Sequence, residues 1–137
     1  MKITQQEMNN AYVALGSINL DKVAPIDIAK IMRARKEMRP YVEAYKAFDE
    51  DVRKAQPNYD ILAELEQKGK ARTEAEEQKF KDLLPAFVEA VNIVLGEELA
   101  KEYDLPFEPI SEESVAQIVS NNGLSLAALE VIKCITE

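Results

Sequence analysis

The chain has no histidine and no tryptophan, one cysteine and only four glycines in 137 residues. Without histidine it lacks the commonest general base and metal ligand, and the base partner of a Ser-His or Cys-His nucleophile pair. Gly16, Gly69, Gly96 and Gly123 are too scattered for a glycine-rich phosphate loop. Cys134 alone forms no internal disulfide and cannot furnish a cysteine zinc site. No apolar run approaches the ~20 residues that span a bilayer, and MKITQQEMNN lacks the apolar stretch of a cleaved leader. The expectation is a non-catalytic chain without cofactor, metal or membrane, in a reducing cytoplasm.

What is present is a helix-leaning composition, 47% hydrophobic and 31% charged, of a length that suits one domain over residues 1–137. Thr4-x-x-Glu7 is a capping-box pattern. It opens a first helix with apolar positions at Met8, Ala11, Tyr12 and Leu15, and Gly16 is the expected stop. Residues 18–23 alternate and suit an extended connection or edge strand. Pro25 starts a second helix, proline being harmless at the first helical position. Ile31, Met38, Tyr45 and Val52 recur by sevens, and Ala34, Tyr41, Phe48 and Ala55 follow each by three. That heptad specifies a long helix with an apolar seam. Pro40 interrupts it but the register continues beyond, which favours one kinked helix over two.

A short helix with Tyr59, Leu62 and Leu65 is expected to stop at Gly69, and Thr73-x-x-Glu76 opens another capping box. The stripe from Phe80 to Leu99 then supplies a broad apolar face with Pro85 inside it, a natural partner for the heptad seam. The fold expected is mainly α: a kinked antiparallel helical hairpin with additional short helices and a minor two-stranded extended element. The second strand of that element is the alternating, proline-bearing segment Tyr103-Asp104-Leu105-Pro106-Phe107-Glu108, whose expected partner is residues 18–23. Ser111 and Ser125 cap two final helices, separated by the left-handed signal Asn121-Asn122-Gly123.

Five cations, Arg33, Arg35, Lys36, Arg39 and Lys46, fall off the seam on the outer face of the second helix. A solvated face ranks first for them, a protein contact second and nucleic acid last. Residues 1–56 hold 10 basic and 8 acidic side chains, and residues 57–137 hold 7 and 17, within an overall charge of −8. Nucleic-acid domains are ordinarily basic, so nucleic acid is not an expected partner. The candidate partner-binding residues are Arg33, Arg35, Lys36, Arg39, Glu97, Glu98 and Glu102. Asp49-Glu50-Asp51 points to different sides of a helix and is not read as a metal site. Cys134 is read as a packing residue.

Four stretches, MKITQQEMNNAYVAL, KVAPIDIAKIMRARKEMRPYVEAYKAF, EELAKEYDLPFEPIS and GLSLAALEVIKCI, together resemble a group of small uncharacterised proteins encoded in tailed-phage genomes and prophages. The resemblance covers most of the chain outside residues 57–96. Residues 59–96 depart from it, being longer and more helical. It implies a phage accessory or virion-assembly protein in the host cytoplasm, with no catalytic residues. The expected function is protein–protein contact with a phage or host protein, with a homodimer as the preferred assembly of the seam. The alternative is a small acidic inhibitor, or DNA mimic, of a host defence or DNA-processing protein.

Overall fold

Thr4 opens the first helix as its spacing to Glu7 predicts. The Glu7 N–H donates to Thr4 Oγ1 at 3.1 Å, and the Thr4 N–H donates to Glu7 Oε1 at 3.0 Å. In the computed structural model, which describes residues 1–137, a strand β1 (Lys2–Thr4) leads into α1 (Gln5–Ser17), α2 (Pro25–Lys54), α3 (Tyr59–Lys68), α4 (Glu74–Leu99), β2 (Glu102–Asp104), α5 (Glu112–Asn122), α6 (Leu126–Val131) and α7 (Lys133–Thr136). The fold is mainly α with one two-stranded antiparallel sheet. Both internal prolines sit inside unbroken helices, Pro40 in α2 and Pro85 in α4. Pro40 leaves the Lys36 carbonyl without its helical donor, and exposure at this position lets water take that place.

The chain divides into two compact units: residues 1–44 with 100–137, and residues 45–99. In the first, β1 pairs with β2 in the register Lys2↔Asp104, Ile3↔Tyr103 and Thr4↔Glu102. The expected pairing with residues 18–23 is therefore replaced by a pairing with the segment that precedes α1. The reason lies in where residues 18–23 spend their polar groups. The Asn19 N–H donates to the Asn122 side chain at 2.8 Å, and Asn121 Nδ2 donates to the Asp21 carbonyl at 2.6 Å. Lys22 adopts a left-handed φ of 63°, which ends any strand there.

The buried cluster of this unit joins Ile3, Met8, Ala11 and Leu15 to the α2 positions Ile31, Ala34 and Met38, and to Leu105, Ile110, Ile118, Ile132, Cys134 and Ile135. Each fully buried Ile or Met contributes roughly 1.5–3 kcal/mol. The seam's first three positions pack on α1 and the C-terminal elements. The later seam positions Tyr45, Phe48 and Val52 fall in the second unit, which also holds α4. The last helix of the sequence reading divides at Ile132, so Leu126 stands 83% exposed while Ile132 and Ile135 are buried. Leu124 just before the Ser125 cap and Leu129 at the fourth helical position, the places of a hydrophobic staple, both pack on the cluster.

In the second unit Leu62, Leu65, Val91 and Leu95 are buried, whereas Ile61, Val88, Ile93 and Val94 remain exposed. The Thr73 capping box forms, with the Glu76 N–H on Thr73 Oγ1 at 3.2 Å. The Arg72 guanidinium stacks over Phe80 at 4.3 Å and donates to the Leu65 carbonyl at 3.2 Å. Its Nε lies 2.8 Å from Glu77 without the alignment of a hydrogen bond.

One buried carboxylate was not legible as such. Asp27, in the first turn of α2, is 3% exposed. It accepts from Ser111 Oγ at 2.7 Å, from Ser114 Oγ at 2.5 Å and from the Ser111 N–H at 3.4 Å. Those serine hydroxyls, chiefly Ser114's, hold its pKa below the ordinary carboxylate value, with Lys30 adding a smaller pull. Glu7 is lowered as well, first by its hydrogen bond with Lys133. A carboxylate with a lower pKa folded than unfolded stabilises the fold above its unfolded pKa, and that stabilisation is lost as pH falls through the folded one. Urea unfolding should therefore give a stability that declines below about pH 4, with a shallower decline in Asp27→Asn. Asp27→Ala strands the serine hydroxyls and should cost about 2–4 kcal/mol at pH 7.

Candidate functional site

The outer face of α2 is where charge and exposed apolar surface meet. Ile26 is 69% exposed and Met32 67% exposed. Together with Ala29, Lys36 and Arg39 they recur every three or four residues, the spacing of a single helix face. An open groove of about 440 Å³ is lined by Ala29, Met32, Arg33, Lys36 and Arg39. The opposite face carries Ile31, Ala34 and Met38 into the core, so the helix is held rigidly from behind.

The four candidate cations of this helix part company. Arg33 is exposed and lies 3.7 Å from Glu108, a long, solvent-screened pair worth ~0–1 kcal/mol. Lys36 is exposed and lines the groove. Arg39 also lines it while donating from Nε to Tyr12 Oη at 3.2 Å. Arg35 does not belong to the group. It is half-buried, donates from Nε to the Tyr12 carbonyl at 3.0 Å, and lies 3.9 Å over the Tyr12 ring. Its expected place on a solvated outer face is thus corrected: it fastens α2 to α1, because its angular position borders the seam and its long stem reaches the neighbouring helix.

This fastening also explains Gly16, which is not the stop expected but a residue inside α1. A Cβ there would sit 2.6 Å from Arg35 Nη2 and 3.0 Å from its Cζ. Glycine is present so that the guanidinium can lie against the helix backbone.

Of the acidic candidates, Glu97 is exposed and Glu98 half-buried, both on α4 in the second unit, and Glu102 is exposed on β2 opposite Thr4 in the first. Sequence reasoning missed Ile26 and Met32, since both fall outside the heptad seam. Large apolar residues on a helix but off its seam are the signal that finds them. Asp49 pairs with Arg53 at 2.5 Å, and no group of three or more acidic or cysteine side chains is placed to hold a metal. Burial pushes the Cys134 thiol up to about 11, which makes it a packing residue rather than a nucleophile. No helix is long and apolar enough to cross a membrane.

The Arg35–Gly16 contact gives a sharp stability test. Gly→Ala inside a helix ordinarily gains about 0.5–1 kcal/mol. Gly16→Ala should gain nothing or lose up to about 1 kcal/mol, because Arg35 must leave Tyr12. In an Arg35→Ala background the same change should recover the ordinary gain, a coupling read by a double-mutant cycle of urea midpoints.

No protein-family model matches the chain, and no curated protein or solved structure is similar to it.

Proposed function

We propose that the chain is a non-catalytic interaction protein that acts through protein–protein contact, with the outer face of α2 as the contact surface. The observation that carries this reading is Met32 and Ile26, two large apolar side chains about two-thirds exposed on a helix whose opposite face is locked in the core. Exposed apolar anchors rimmed by cations are the composition of a binding patch, with a hydrophobic centre and a polar edge. The resemblance to phage-encoded proteins extends the reading to a virion structural or assembly role in a host cytoplasm, with a phage or host protein as partner.

A second reading is favoured by a specific feature of the first unit. Glu102, Asp104, Glu108, Glu112 and Glu113 are all exposed within a short run, the kind of surface an acidic mimic offers to a basic groove. Asp104 and Glu108 already face positive groups of their own chain, which weakens that surface and ranks the mimic second.

The tagged chain, used as bait in a bacterial lysate beside a variant carrying Ile26→Glu and Met32→Glu, separates the two. The contact reading expects a partner retained by the parent at about 500 mM salt and lost from the variant. A partner held equally by both, and released between about 50 and 500 mM salt, would transfer the function to the acidic surface. Light scattering on the purified chain reads the homodimer expectation directly: a monomer at high concentration ends it.

A further inference from the structure

Resting on the reading of α2's outer face as a contact surface, we infer that its occupant is an amphipathic helix with acidic flanks. Three properties of the groove select that chemistry. Its apolar part is Ala29 and Met32, one turn apart, which suits side chains spaced at i, i+3 or i+4 and i+7 from a partner helix. The lining is also cationic, Arg33, Lys36 and Arg39 alternating with those apolar side chains on one face of a single helix, so carboxylates beside the partner's apolar stripe would meet them. The third property is that two of those cations are only loosely engaged within the chain. Arg33 reaches Glu108 at 3.7 Å with both side chains exposed, and Arg39 uses Nε on Tyr12 and keeps its other guanidinium donors for a partner.

The other occupants fit less well. The same face of a second copy would set Arg33, Lys36 and Arg39 against their own kind, which is repulsive. Nucleic acid would leave Met32 and Ile26 without a role and would meet a chain of net charge −8. Glu37 and Glu43, one turn beyond Arg33 and Arg39, are exposed and lie outside the groove lining. Glu43 tempers the positive field beyond Arg39, and the lining from Ala29 to Arg39 spans about three turns, the footprint of a short helix.

The occupant can be read without knowing the natural partner. A displayed library of 20-residue helical peptides, with an apolar stripe held constant and the flanking positions randomised, is selected against the full chain. Enriched peptides should carry Asp and Glu at the flanks. The best of them, made synthetically and titrated by fluorescence anisotropy, should bind at least tenfold more weakly to Met32→Glu and about tenfold more weakly to Lys36→Glu. They should also bind severalfold more tightly to Glu108→Gln, which frees Arg33. Met32, Lys36 and Glu108 are exposed, and an unchanged thermal melt verifies that each variant stays folded. Enrichment without acidic bias, no enrichment, or binding indifferent to Met32→Glu overturns the inference. A self-association abolished by Met32→Glu would overturn it in favour of a second copy while leaving the contact reading intact. Duplex DNA binding lost in Lys36→Glu would overturn both.

Discussion

The first unit rests on a buried carboxylate that two distant parts of the chain must meet. Asp27 sits in the first turn of α2, and its partners Ser111 and Ser114 sit at the cap and first turn of α5, more than eighty residues later. A buried charge without partners is prohibitive, so the C-terminal segment cannot drift from α2 without exposing or stranding it. The same hydroxyl that receives the Ser114 N–H as α5's cap donates to Asp27, so capping and docking are one event. Around this node the two segments meet at further points: β1 on β2, Lys133 on Glu7 at 2.5 Å, and Asn121 and Asn122 on the loop after α1. The hydrophobic cluster fills the space these polar points enclose.

Local signals were read well because each is complete within a few residues. The Thr4 and Thr73 capping boxes, Pro25 at a helix start, the Ser111 and Ser125 caps and the left-handed Gly123 at 60° all form. The heptad predicted one helix through Pro40, and α2 is unbroken there. What failed was partnership. Ile31, Ala34 and Met38 announce a buried face but carry no label for what covers it. α1 and the C-terminal elements cover that face, while the later seam positions Tyr45, Phe48 and Val52 lie in the unit that holds α4. The strand partner failed for the same reason: Lys2-Ile3-Thr4 is too short to register as a strand, though Ile3 is 2% exposed at the centre of the pair. Asp27 carries no local sign of burial, and only its distant partners Ser111 and Ser114 reveal it.

The second unit follows a different economy. Its helices are well punctuated, and Lys68 and Arg72 add ion pairs to Glu76 and Glu77 across the turn before α4. The Lys68 ammonium and the Thr73 N–H hold Glu76 down to about 2, but Lys68 is exposed and Glu76 only half-buried, and such a pair adds little to stability. Against this, four buried apolar side chains serve a 26-residue helix and its neighbours. The first unit therefore holds the denser burial.

The basic cluster of α2 shows why charge patterning alone misleads about contact surfaces. Arg35 and Lys36 are adjacent and identical in charge, yet one is structural and the other is available. A difference of one residue turns a side chain by about 100° around the helix. At Arg35 that turn brings Tyr12 and the bare backbone of Gly16 within reach. At Lys36 it leads to open water beside Met32. Arg39, one turn beyond Arg35, touches Tyr12 only at its hydroxyl and keeps a foot in each role. The cations still free to act are those that share a face with exposed apolar residues. That coincidence, and not the density of arginines, marks the outer face of α2 as the surface on which function should be sought.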